Sequence, residues 1–248
     1  ISFGDKRIPN KIENIRFNNV SYKYFGKESN ALTNISFEIN SNEITAFIGH
    51  TGSGKSTIGK LLLRLYKNNS GSILINNQDI FAFNQNEYKN LISVVNQKPF
   101  IFNMSVMDNF KLVQNNEDKI KETCKKIGID ELILNLPNGY ETILKEDATD
   151  LSGGQKQLIS IARTIMCDSK IIIFDEVTSA LDPKTTKHII EILNAIKKDK
   201  VVILITHKPD LMKIANNLIL LNDGKIVGIG NHKGLIANNN YYQKLLKK

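Results

Sequence analysis

Long apolar runs are missing from this sequence. A membrane-spanning helix needs about 18 or more predominantly apolar residues in succession, and stretches such as 171–174 and 201–205 fall far short. No segment is therefore predicted to cross a bilayer. Cysteine is scarce as well: Cys124 and Cys167 are the only two, without CxxC spacing or a neighbouring histidine cluster. That argues against a zinc site and a disulfide framework, and a reducing compartment is expected. Residues 1–9 lack the apolar core of a signal peptide and begin at Ile1 rather than Met, so the sequence is read as a piece of a longer chain with further sequence upstream. Internal repeats, long linkers and low-complexity tracts are missing too.

What is present suits an ordered globular domain. The 248 residues are enough for one large α/β unit with a smaller satellite. A net charge of +8 raises the question of an anionic partner, but its distribution answers it. Lys125 and Lys126 lie close in sequence to Asp130 and Glu131, and Lys197 and Lys198 to Glu191 and Asp199, as on solvated helix faces. No nucleic-acid partner is expected.

Alternating apolar residues predict strands over 15–20 and 35–39, followed by a buried strand over 44–48. A glycine-rich turn then opens a helix over 56–66, and a further strand covers 72–75. From 84 to 150 the texture changes to short helical stretches and polar loops, read as an inserted helical subdomain. Beyond 151 the rhythm is helix to about 167, strand 170–174, helix 183–197, strand 201–205, a short helix after Pro209, and a hairpin through Asn222-Asp223-Gly224. Three divisions are expected: 1–83, β-rich and carrying the glycine loop; 84–150, helical; and 151–248, the rest of a mostly parallel core.

Three constellations carry chemistry. Gly49-His50-Thr51-Gly52-Ser53-Gly54-Lys55-Ser56-Thr57 fits G-x-x-x-x-G-K-[ST] and lies between a predicted strand and helix. There, glycines let backbone amides crowd around phosphates, Lys55 reaches the outer phosphates, and the Ser56 hydroxyl ligates Mg²⁺. The second is Asp175-Glu176, ending a buried strand where open α/β sheets bind ligands. Asp175 would hold Mg²⁺ and Glu176 would orient or deprotonate the attacking water, although either could simply cap the next helix. The third is Leu151-Ser152-Gly153-Gly154-Gln155 at a helix start, a second anion nest. One triphosphate rarely needs two nests about a hundred residues apart, so each could grip the same phosphate from a different molecule; Ser152 could equally be a plain N-cap.

Together these segments resemble the ABC ATPase family, over nearly the whole chain. The resemblance implies an α/β P-loop NTPase (RecA-like) core with an N-terminal antiparallel β subdomain and an inserted helical subdomain. It also implies ATP and Mg²⁺ as ligands, and a head-to-tail dimer with a second nucleotide-binding domain, identical or not. In it Tyr24 is similar to the aromatic that stacks on adenine, with Tyr22 as its competitor, and Gln97 to the glutamine that contacts Mg²⁺. Asp182 resembles the loop that crosses the dimer interface, and His207 the histidine touching the γ-phosphate. Taken singly, Gln97 and Asp182 could be turn residues and His207 a satisfied strand-end histidine.

Residues 100–109 and 136–142 resemble the exporter branch, multidrug and peptide exporters included, in which the cassette follows membrane helices in the same polypeptide. That implies a membrane-associated protein with this domain on the ATP-containing, cytoplasmic side. A soluble ABC ATPase acting on DNA or ribosomes is the alternative, expected to carry a long heptad insertion or a second cassette. Two departures stand out: Lys145 and Ala148 occupy glycine positions around Glu146 in an acidic loop, and Leu158 replaces an arginine common in the signature helix.

Overall fold

The computed structural model describes residues 3–145, 148–179 and 181–247; Glu146 and Ala180 lie outside the described residues. Strands β1 (Asn14–Tyr22), β2 (Leu32–Asn40) and β3 (Ile44–Ile48) lead into α1 (Lys55–Leu62), then β4 (Ser70–Ile75), β5 (Gln78–Asp79), α2 (Gln85–Lys89) and β6 (Ile92–Val95). Short helices α3 (Val106–Lys111), α4 (Glu117–Lys126) and α5 (Asp130–Leu134) precede the long α6 (Gly153–Met166). The remainder runs β7 (Ile171–Asp175), α7 (Pro183–Ile196), β8 (Val201–Ile205), α8 (Pro209–Ile214), β9 (Asn217–Asn222), β10 (Lys225–Gly230), α9 (His232–Asn238) and α10 (Asn240–Leu246).

Two sheets result. One is antiparallel, in the order β2-β1-β4-β5; the other runs β10-β9-β3-β8-β7-β6 and is parallel except for β10. The class is the expected α/β P-loop architecture. Every residue of β3 and β8 is buried, as parallel strands covered on both faces must be. On one face, Phe17 stacks on Phe37 across the antiparallel pair at 4.5 Å, and Phe37 meets Phe47 of β3 edge-on at 5.2 Å, which joins the two sheets through one apolar cluster. On the other face, Ile44, Ala46 and Ile48 pack with Ile159 and Ala162 of α6 and with the short helices.

The structure departs from expectation at three places. Helix α1 stops at Leu62, and Arg64 turns out of it with φ 56°, its guanidinium 3.5 Å from the centre of the Tyr88 ring. Strand β6 lies inside the stretch expected to be helical. Its four residues are too few to show a period, and it is held as a strand by pairing with β7. Helices α9 and α10 were not read in the sequence; Tyr242 of α10 is fully buried.

The parallel register decides where chemistry can occur. Phe47 lies opposite Ile205, and Ile205 opposite Asp175, so the carboxyl ends of β3, β7 and β8 share one edge. The glycine loop, the Asp175-Glu176 pair and His207 all emerge there.

Candidate nucleotide site

The loop after β3 is shaped by close approaches. Gly54 caps α1 with φ 106° and no side-chain bond, so the first amides of α1 are left for a ligand. A Cβ at Gly54 would meet Leu32 Cδ2 at 2.7 Å and the Ala31 carbonyl at 2.9 Å, and one at Gly49 would meet the Leu221 carbonyl at 2.2 Å; only glycine fits. Lys55 Nζ donates to the carbonyls of Gly49 at 2.7 Å and His50 at 2.8 Å, so the loop closes around its own lysine. Burial lowers the Lys55 pKa, and the carboxylates of Glu176 and Asp175 partly restore it. A cavity of about 260 Å³ opens here, lined by Tyr24, Ala31, Thr51, Gly52, Gly54, Lys55, Ser56, Thr57 and Glu176.

Burial, and then the neighbouring charge of Glu176, raise the pKa of Asp175, against the pull of Lys55 and Lys60. Glu176 sits in the left-handed region at φ 49°, a strained conformation for a non-glycine residue. Its amide donates to the Ile205 carbonyl at 2.8 Å, and its Oε1 lies 3.4 Å from His207 Nδ1. Gln97 Nε2 donates to Ser179 Oγ at 3.1 Å, which brings the loop after β6 to the loop after β7. Of the two tyrosines, Tyr22 is buried while Tyr24 lines the cavity, its hydroxyl 3.1 Å from Thr57 Oγ1.

The second nest is built differently. Ser152 Oγ accepts from the Gln155 amide at 3.2 Å while Gln155 Oε1 accepts from the Ser152 amide at 2.8 Å, a capping box. A Cβ on Gly153 would meet nothing within 4 Å, whereas one on Gly154 would lie 2.8 Å from Thr185 Oγ1. Thr185 is in turn bound through its hydroxyl (2.6 Å) and amide (2.9 Å) to Asp182, the N-cap of α7, and these bonds hold the Asp182 carboxyl below its usual pKa. Ser152, Gly153, Gly154, Gln155 and Asp182 contribute nothing to the cavity beside Lys55. Leu158 is buried in the core, and Ala148 keeps a φ of 47°, the conformation that glycine adopts without strain.

Sequence reasoning missed the groups that hold the glycine loop from outside. Asn222 Oδ1 lies 3.0 Å from His50 Nε2, and the Gly224 amide donates to the Ser53 carbonyl at 3.1 Å. The Asn-Asp-Gly turn was legible as a hairpin; that its tip reaches a loop about 170 residues earlier was not.

A glycine loop between strand and helix, its lysine, and paired carboxylates at the end of β7, the next strand but one in the sheet, define a P-loop nucleoside triphosphatase. The family described as "ABC transporter" matches residues 32–179, and the chain belongs to that family as an ATP-binding domain and ATPase. It is 36% identical over 245 residues to "ATP-dependent lipid A-core flippase 2" of Colwellia psychrerythraea, covering 98% of this chain and 42% of the flippase. Over 241 residues it is 34% identical to the "Putative ABC transporter ATP-binding protein MG015 homolog" of Mycoplasma pneumoniae, covering 96% of this chain and 38% of that protein. The solved structure of a bacterial Atm1-family ABC exporter with ATP bound matches with a TM-score of 0.86 and 29% identity over 98% of this chain and 44% of that one. The chain thus spans about two fifths of the length of these relatives. Among the described residues, no helix is long and apolar enough to cross a membrane.

Proposed function

We propose that this domain is the motor of a membrane exporter, in which ATP draws two nucleotide-binding domains together and hydrolysis lets them part. The observation that carries this reading is the asymmetry of the two nests. Lys55, Ser56 and Glu176 line one cavity, while the Ser152 helix start is complete in itself and contributes nothing to it. Ser152 to Gln155 then act on the triphosphate of a second molecule, and Asp182 carries its loop to the same interface.

The division of labour follows from chemistry. The amides of residues 49–57 and Lys55 hold the phosphates, and Tyr24 stacks on the base. The donor set fits a hard divalent cation: the Ser56 hydroxyl, the Asp175 carboxylate and the amide oxygen of Gln97, whose nitrogen is engaged by Ser179, are all oxygen ligands. Mg²⁺ held by these oxygens would supply positive charge against the triphosphate. Glu176 accepts the proton of the attacking water, and His207, beside it, steadies that carboxylate and contacts the γ-phosphate. The chain divides as 1–83, 84–150 and 151–248, with strand β6 returning from the middle stretch to the core sheet.

Transport is supported by the relatives, one named a lipid A-core flippase and another the lactococcin-A transport/processing protein of Lactococcus lactis, 36% identical over 94% of this chain. A docking face for membrane helices is offered by Phe100 and Phe102, exposed and edge-to-face at 4.8 Å. Arg163 braces them, donating to the Phe100 carbonyl at 2.6 Å.

The test is Glu176→Gln. With Mg²⁺ and ATP the variant accumulates as a nucleotide-loaded dimer in sizing chromatography, because hydrolysis no longer dissolves it. Elution as an ATP-loaded monomer at high protein concentration would remove the shared-site reading.

A further inference from the structure

We propose that His50 and Asn222 form a positioning pair that holds the phosphate loop in its anion-receiving shape, a role that rests on the reading of residues 49–57 as the triphosphate cradle. The tip of the β9–β10 hairpin lies along the outside of that loop. At one end the Leu221 carbonyl occupies the space a Cβ on Gly49 would need. At the other, the Gly224 amide donates to the Ser53 carbonyl at 3.1 Å while the Gly224 carbonyl accepts from Thr33 at 2.8 Å, tying the tip to β2. Asp223 and Gly224 have φ 47° and 73°, as the tight turn of a twisted hairpin requires. From behind, the Tyr241 hydroxyl of α10 donates to the Leu221 carbonyl at 3.1 Å.

Between these two anchors the His50 side chain joins the loop to the hairpin. His50 Nδ1 is 2.7 Å from the Thr51 carbonyl, and its Nε2 is 3.0 Å from Asn222 Oδ1 and 3.4 Å from Asp223 Oδ1. A carbonyl only accepts, so Nδ1 carries a proton toward Thr51; the ring then donates from Nε2 to Asn222 Oδ1 when that nitrogen is protonated too, and on the neutral ring Nε2 accepts instead from the Asn222 NH₂ once the amide turns over.

An anion cradle works only if amides, and not carbonyl lone pairs, face the ligand. In this loop the carbonyls of Gly49 and His50 are bound by Lys55, and that of Ser53 by Gly224. The Thr51 carbonyl is bound by the His50 ring. Gly52 follows it with φ 82° and open space at its Cβ position, so the Thr51–Gly52 peptide is the one most free to rotate. Rotation would swing an amide out of the cradle and a carbonyl in. The His50 ring prevents this, and Asn222 keeps the ring in place.

The whole protein, assayed for ATPase activity across ATP concentrations, separates this role from general stability. Asn222→Leu keeps the size of the side chain and removes its hydrogen-bonding group; KM for ATP rises about fivefold, the net weight of one hydrogen bond, with a much smaller change in kcat. Asn222→Asp restores an acceptor and a KM near that of the parent. His50→Ala raises KM about tenfold, and adding Asn222→Leu to it changes nothing further, since coupled residues do not add. Additive effects, or a parental KM in folded Asn222→Leu, would overturn the proposal. If Asn222→Leu loses its melting transition, His50→Ala leaves the turn untouched and decides alone: a parental KM there overturns it. Lys55→Ala distinguishes the layers, since undiminished ATP binding in that variant removes the cradle itself rather than the clamp.

Discussion

The two glycine-containing helix starts of this chain, Gly54-Lys55 and Ser152-Gly153-Gly154, look alike in sequence and differ in what surrounds them. The first is crowded. Its glycines meet Leu221, Ala31 and Leu32, its lysine is buried, and two acidic side chains lie within electrostatic reach. The second is closed by its own capping box, and its Gly153 faces open space. A helix start supplied with lysine, carboxylates and a cavity can bind and react; one supplied with only a cap needs its ligand brought to it. A catalytic pocket can therefore be half built in one molecule, the other half waiting as an ordinary-looking surface.

The largest expected effect breaks the comparison at its strong side. Lys55→Ala removes the only side-chain cation among the described residues that line the cavity, and ATP affinity, read by equilibrium binding of a labelled nucleotide, falls about a hundredfold or more given the strength of charge-assisted bonds to phosphate. Retained affinity would place the triphosphate elsewhere.

The next sharpens it at the weak side. Ser152→Asp keeps an N-cap of equal quality while setting a negative charge where a partner's phosphate is expected. ATP binding by dilute, monomeric protein and the melting temperature stay as in the parent, and turnover at high protein concentration falls about tenfold or more, as for an opposed charge at close range. Equal losses in dilute binding would mean that the two regions serve one molecule after all.

How much of this was legible in the sequence differs between the same two regions. Residues 49–57 announced themselves because the motif is local and its context, a buried strand then an amphipathic helix, can be read over about twenty residues. The partners that shape it could not be read, because Ala31 and Leu32 arrive from the start of β2, and Leu221, Asn222 and Gly224 from the β9–β10 hairpin. Glu176 was legible as a carboxylate after an apolar strand, but its left-handed backbone follows from tertiary hydrogen bonding and leaves no trace in residue type. Strand β6 was lost to brevity, and α10 to a tail that carries no strong cap signal beyond Asn239. Sequence favoured Tyr24 over Tyr22 by resemblance alone; that Tyr22 is buried while Tyr24 lines the cavity could not be read from it.

The smallest effect compares two aspartates that meet opposite fates. Asp175 is pushed up by burial and by Glu176, so its charged form is disfavoured in the folded protein. The folded state then loses stability as pH rises from the ordinary aspartate value through the raised one, and the whole penalty is present above the raised value. Asp182 is held down by Thr185; its contribution is present at neutral pH and is lost as pH falls through the lowered value. Without nucleotide at pH 7, Asp175→Asn should therefore melt higher than the parent, by about 2–4 °C for each kcal/mol relieved in a domain of this size, and Asp182→Ala lower. The gain at Asp175 shrinks as pH is lowered. If Asp175 is a ligand of the cation as proposed, adding Mg²⁺ and ATP should stabilise the parent more than Asp175→Asn. A lower melting point for Asp175→Asn at pH 7 would show instead that Asp175 is held by structural partners, as Asp182 is, and the contrast between a reactive half and a capped half would lose its clearest electrostatic mark.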